Sequence, residues 1–108
     1  MSFEIIATPK FKTELKRLVN KFPSLKTEYS NLIDQLNNNP KLGIPIGHDC
    51  YKIRLSIRSK GKGKSGGARV ITYIFIEGEI LFLLSIFDKS ERANITDSEL
   101  INLIKKIE

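Results

Sequence analysis

The sequence has no tryptophan, one cysteine and one histidine, and each scarcity removes a class of chemistry. Cys50 cannot close an internal disulfide, which favours a reducing compartment, the cytoplasm. His48 alone cannot supply the histidine pair of an acid–base ribonuclease, and with Cys50 it cannot build a tetrahedral zinc site. The two share the fragment GHDC, but no separate group is evident to orient the imidazole of a Cys–His nucleophile. Cys50 therefore reads as a small apolar residue entering a strand. Neither a metal nor a cofactor is expected. Long apolar runs are missing too. The longest, ILFLLSIF at 80–87, is far below the roughly 20 residues of a membrane span and reads as a buried strand. No membrane contact is expected, and MSFEIIATPKFK lacks the pattern of a secretory signal.

What is present suits a single compact domain over residues 1–108, with 41% hydrophobic residues and one core. The net charge of +6 is unevenly placed. Lys52, Arg54, Arg58, Lys60, Lys62, Lys64 and Arg69 fall in one segment that contains no Asp or Glu. The remainder carries 11 basic residues against 12 acidic ones, so the whole positive excess sits in that segment. A loop kept only for solubility would intersperse acids among its lysines. A one-sign patch attracts a polyanion, through release of the counterions around its phosphates.

Within the patch, GKGKSGG at 61–67 resembles the end of a nucleotide-binding loop. A complete loop of that kind needs a glycine at position 58, where Arg58 stands, and a helix immediately after it. ARVITYIF follows instead, rich in β-branched and aromatic residues. The nucleotide reading fails, which leaves nucleic-acid phosphates or solvent.

Local patterns give the order β-α-α-β-β-β-α, a small α+β domain. Residues 2–7 read as a first strand. Thr8 and Pro9 suit the N-cap and first position of a helix carrying Phe11, Leu15, Leu18, Val19 and Phe22 at helical spacing. Ser24 can cap a second helix with Leu25, Tyr29, Leu32, Ile33 and Leu36 on one face, ended by NNNP. The short joint predicts an antiparallel helical hairpin covering a sheet. Residues 41–49 read as a loop. CYKIRLSIR (50–58) alternates: Tyr51, Ile53, Leu55 and Ile57 point one way, Lys52, Arg54, Ser56 and Arg58 the other. ARVITYIFI and ILFLLSIFD form a hairpin about Glu77-Gly78-Glu79. Thr96-Asp97-Ser98-Glu99 is a capping box, with Ile95 and Leu100 as its hydrophobic staple, opening a C-terminal helix.

The chemistry available is cationic. Arginine grips a phosphate through two hydrogen bonds and stabilises charge building on its oxygens. A lysine set among other cations loses its proton more readily and can serve as a general base. Such a site could activate a ribose 2′-OH against the adjacent phosphate. A plain RNA- or DNA-binding surface accounts for the same residues.

In order along the chain, CYKIRL (50–55), KGKGKSGGARVI (60–71) and FDKSE (87–91), behind a two-helix half, give a sequence that resembles the RelE/ParE superfamily of toxin–antitoxin toxins, in its HigB-type branch. The resemblance spans essentially the whole chain. It implies a helical hairpin packed on a mainly antiparallel sheet of about four strands. It also implies a ribosome-dependent mRNA endonuclease, restrained by a cognate antitoxin, with ribosome and mRNA as its other partners. Carried over, it puts Lys52 and Arg54 on the substrate face, Arg69 on the scissile phosphate and Lys89 after the last strand, as the catalytic set. Lys60, Lys62 and Lys64 become its RNA-binding lysine loop, and Arg58, from the charged face of the strand before it, is read as RNA-binding with them. There are departures: RelE has an arginine at the place of Ser90 and a catalytic tyrosine near its C-terminus that this chain lacks. Many relatives have tyrosine where Phe87 stands. The general base stays open between Lys52 and Lys89. Two alternatives stand beside the nuclease: a ParE-like inhibitor that binds DNA gyrase, and a non-catalytic RNA-binding module.

Overall fold

The computed structural model describes residues 3–60 and 66–107. Strand β1 (Glu4–Ala7) leads into helix α1 (Pro9–Lys21), which is followed by α2 (Leu25–Asn38). Strands β2 (Ile44–Gly47) and β3 (Cys50–Leu55), a 3-10 turn (Arg58–Lys60), β4 (Ala68–Phe75), β5 (Ile80–Asp88) and helix α3 (Asp97–Ile107) complete the chain. The five strands form one sheet in the order β1-β5-β4-β3-β2, with β1 parallel to β5 and every other pair antiparallel. The α+β class is as expected. The sheet has one strand more than expected, because β2 lies in the segment read as a loop.

That extra strand escaped notice for a physical reason. Pro45 cannot donate to a ladder, and β2 tolerates it only as an outer edge strand. Its link to β3 is a two-residue turn in which His48 (φ 58°) and Asp49 (φ 61°) both take left-handed backbone. This is the twist a tight hairpin needs, although the sequence supplies no glycine at either centre.

The helical hairpin covers one face of the sheet. Phe11, Leu18, Leu25, Leu32 and Leu36 pack there against Ile53, Val70, Ile74, Leu81, Leu83 and Ile86. On the other face Leu100 and Leu103 of α3 meet Cys50, Ile71, Leu84 and Phe87, with Ile95 from the preceding loop. With a helix on each side, β4 and β5 are apolar on both faces.

Three helix starts were legible to different degrees. Thr8 accepts a hydrogen bond from the Phe11 N–H at 3.3 Å, so it caps α1. Thr96 and Glu99 form the reciprocal box: the Glu99 N–H donates to Thr96 Oγ1 at 3.2 Å and the Thr96 N–H to Glu99 at 3.1 Å. Ser24 does not cap α2, since its backbone is already helical and its side chain makes no capping bond. Its hydroxyl is instead paired with Ser59 at 2.8 Å and donates to Glu28 at 3.1 Å. Ser24 ties the hairpin to the 3-10 turn.

A bulge in β5 opposite Ile71/Thr72 shifts the register by one residue. Past the end of β1, Glu14 of α1 takes over the exposed edge, accepting from Ser85 Oγ at 2.9 Å and from the Ile86 N–H at 3.3 Å.

Candidate nucleic-acid interface

Strands β3 and β4 pair with Lys52 opposite Ile71, Ile53 opposite Val70 and Arg54 opposite Arg69. Directly opposed residues of an antiparallel pair project from the same face. Arg54 and Arg69 are therefore neighbours, with Lys52 two residues along on the same side. The next step of the row is Phe87, opposite Arg69 on β5. The face is that of α3, since Ile71 and Phe87 belong to its apolar cluster.

The two arginines differ in setting. Arg54 is exposed, while Arg69 is only 4% exposed. The Arg69 guanidinium donates to the Ala68 carbonyl at 3.1 Å. Burial, and then the charge of Arg54, push its pKa below the ordinary arginine value. Two guanidiniums side by side, one of them poorly hydrated, favour an anion placed between them.

Lys89 lies one residue beyond β5, half-buried. Its N–H donates to the Gly67 carbonyl at 3.0 Å, which carries the ladder one step past the strand. Gly67 precedes Arg69 by two residues, so Lys89 stands at the same end of the sheet as the arginine pair.

The remaining cations divide. Arg58 belongs to the 3-10 turn and not to β3. Its side chain is exposed, and its backbone N–H donates to Glu28 at 2.6 Å. Lys60 turns inward. Its ammonium pairs with Asp88 and lies 5.3 Å from the centre of the Phe22 ring, on the hairpin side of the sheet. Lys62 and Lys64 lie outside the described residues.

One basic residue that sequence reasoning passed over sits beside this row. Arg92 holds its guanidinium 5.3 Å from the centre of the Phe87 ring, pairs with Glu99 and donates through Nε to the Asn94 carbonyl at 2.8 Å. Its acidic partner and its distance from the lysine-rich segment kept it out of the charge pattern. Phe87 thus stands opposite Arg69 in register and has the Arg92 guanidinium over its ring.

Cys50 is buried, only 1% exposed. Burial, and secondarily Asp49, push the Cys50 thiol up to about 12. Its Sγ lies 3.5 Å from the backbone carbonyl of His48. Among the described residues no cluster of His, Cys, Asp and Glu is arranged to hold a metal ion, and no helix is long and apolar enough to cross a membrane.

The fold is thus an α+β domain whose sheet carries two directly opposed arginines on one face. Comparison with known proteins makes this more specific. Residues 13–107 match the family model described as the RelE toxin of the RelE/RelB toxin–antitoxin system, and the chain belongs to that family. Among solved structures, a free E. coli RelE mutant with two arginines changed to alanine superimposes with a TM-score of 0.64 at 15% identity, each chain covered in full. The isolated E. coli RelE toxin gives 0.60 at 16% identity, over 99% of this chain and 100% of that one. The same double mutant bound to an antitoxin RelBc peptide gives 0.61 at 17% identity, over 94% and 93%. At such identities the likeness is one of fold.

Proposed function

We propose that this chain is the toxin of a toxin–antitoxin pair and an endoribonuclease that cuts mRNA on the ribosome in the cytoplasm. The observation that carries the reading is the direct opposition of Arg54 and Arg69 across β3 and β4. It supports a phosphate grip in which the exposed arginine meets the RNA first and the buried one lies behind it.

The reaction needs no group beyond these side chains. A lysine, Lys52 or Lys89, takes the proton of a ribose 2′-OH, and the oxygen forms a bond to the adjacent phosphorus. The bond from phosphorus to the 5′-oxygen breaks, leaving a 2′,3′-cyclic phosphate on one fragment and, after protonation, a 5′-hydroxyl on the other. Arg54 and Arg69 stabilise the charge that accumulates on the phosphate oxygens as the bonds exchange. The cognate antitoxin is the second partner in this reading, in line with the RelE structure that holds a RelBc peptide.

Purified protein incubated with mRNA-programmed ribosomes tests this. Primer extension should reveal cuts within codons, and the 3′ ends should be cyclic phosphates. Arg69→Ala should lower the rate about 100- to 1,000-fold, the usual cost of removing one donor to a developing oxyanion. Intact mRNA with the wild-type protein overturns the reading. Intact mRNA accompanied by DNA damage in cells would favour gyrase inhibition. Ribosome binding without any cleavage would favour a non-catalytic RNA-binding module.

A further inference from the structure

Three hydrogen bonds converge on one oxygen of Asp88. Oδ1 accepts from the buried Lys60 ammonium, from the Ser90 N–H at 3.0 Å and from the Ser90 hydroxyl at 2.9 Å. The second oxygen, Oδ2, is buried and has no hydrogen-bond partner among the described residues. Such an orphan is unfavourable, and an apolar pair of similar volume is often as stable as a buried ion pair, or more so. Stability therefore does not account for a charge at this position.

What the residue does hold is the exit of β5. While its side chain fastens Ser90, its backbone carbonyl accepts from the N–H groups of Glu91 and Arg92, both at 3.0 Å. The chain is folded into a turn immediately after the strand. Lys89 is enclosed between Asp88 and Ser90, and its own N–H donates to the Gly67 carbonyl at 3.0 Å.

Alternation then decides where Lys89 points. Asp88 is opposite Ala68, which belongs to the hairpin-side core, and it meets Lys60 on that side. Phe87, one residue earlier, packs on the α3 side. With the ladder carried one residue further, Lys89 returns to the α3 side, that of Arg54 and Arg69. Arg69 opposes Phe87, so Lys89 is its diagonal neighbour, about 7–8 Å away at the backbone and within reach of a long side chain. The residue facing Lys89 is Gly67, which contributes no side chain of its own.

We propose that Asp88 is a positioning residue: from the hairpin side of the sheet it fixes the turn that holds Lys89 beside Arg69, so that Lys89 faces the phosphate bound there. The inference rests on the endoribonuclease reading and adds to it a residue that never touches the RNA.

The variant Lys60→Met/Asp88→Leu replaces both buried charges together, and denaturant titration checks that it is folded. Single-turnover cleavage of ribosome-bound mRNA is measured for it with Lys89 present and with Lys89→Ala. The rate should fall about 100-fold where Lys89 is present, the order of loss for a reacting group misplaced by about 1 Å. Where Lys89 is absent it should fall by less than about twofold, because residues acting through one another are not additive. Asp88→Asn, nearest in shape, goes through the same comparison, so the result does not depend on one variant folding. An undiminished rate with Lys89 present overturns the proposal and makes the pair merely structural. An equal fall in both backgrounds also overturns it, since Asp88 then acts without Lys89. Independently of cleavage, the Lys89 ammonium resonance should shift when a short single-stranded oligoribonucleotide is titrated into the wild type. Asp88→Asn should abolish that shift and leave the Arg54 side-chain shift in place. No Lys89 shift in the wild type, or one unaltered in Asp88→Asn, refutes the positioning role. If the wild type cuts no mRNA, the nuclease reading fails while this titration still decides where Lys89 stands.

Discussion

Lys60 and Asp88 form an ion pair inside the protein, with side chains 7% and 1% exposed. The pair joins the 3-10 turn, where the basic segment leaves the sheet, to the last residue of β5, just before Lys89. Burial alone would raise the Asp88 carboxyl, but hydrogen bonds from Lys60 and Ser90 outweigh it and hold the pKa below the usual value. Removing one partner strands a buried charge. Lys60→Met should therefore lower unfolding stability by about 3–5 kcal/mol in urea titrations, and Lys60→Met/Asp88→Leu should regain most of that loss. A neutral result for the single variant would mean that the pair is solvated.

Gly67 has no room for a side chain. A Cβ there would stand 2.1 Å from the Leu55 carbonyl and 2.9 Å from Ser56 Cα. Since backbone cannot rotate away as a side-chain tip can, Gly67→Ala should force β3 and β4 apart at the end that carries Arg54 and Arg69. Thermal denaturation should register a lowered midpoint. RNA cleavage should fall further than the unfolded fraction accounts for, because the arginine spacing changes in the folded protein as well.

Arg54 is exposed where Arg69 is buried, and the two should separate experimentally. Arg54→Ala should weaken binding to single-stranded RNA. The dependence of log K on log salt should flatten by somewhat less than one unit, about 0.7, for the loss of one phosphate contact. The effect should be nearly independent of RNA sequence. A sequence-dependent loss with an unaltered salt slope would move Arg54 from phosphate to base.

Glu99 is held down to about 2, first by the hydrogen bond from Arg92 and then by the Thr96 N–H. A carboxylate whose folded value lies below its unfolded one adds stability above the unfolded value and loses it as pH falls through the folded one. The contribution of Glu99 should thus be complete at pH 6 and decline between about pH 4.5 and 2. Denaturant midpoints for Glu99→Gln should sit below wild type at neutral pH and converge with it at acid pH. Parallel curves would assign the box to geometry alone.

The placing of Lys52 beside Arg54 was legible because a period of two in CYKIRL puts both on one face before any partner strand is known. That Arg69 joins them depends on the register of β3 against β4, and the sequence between those strands does not set it. Lys60 shows the limit of charge counting. In one dimension it is indistinguishable from Lys62, and only folding reveals Asp88 beneath it, 28 residues further on. Arg92 failed in the opposite sense, as an isolated cation whose position over Phe87 is created by the turn after β5. The missed strand β2 is a third kind of case: its proline signals a break, and its turn lacks glycine although both central residues have positive φ.

Strand β1 lies alongside β5, so the first strand of the chain waits for the penultimate element before it has a neighbour. Glu4 aligns with Ile80, and Thr8 bonds to the Leu83 carbonyl. Loop closure over such a separation is slow compared with forming the helical hairpin. During synthesis the nascent chain therefore exposes the apolar side of its hairpin until nearly all of it has emerged. A cell that makes this protein has an interval in which the polypeptide exists and its completed sheet does not.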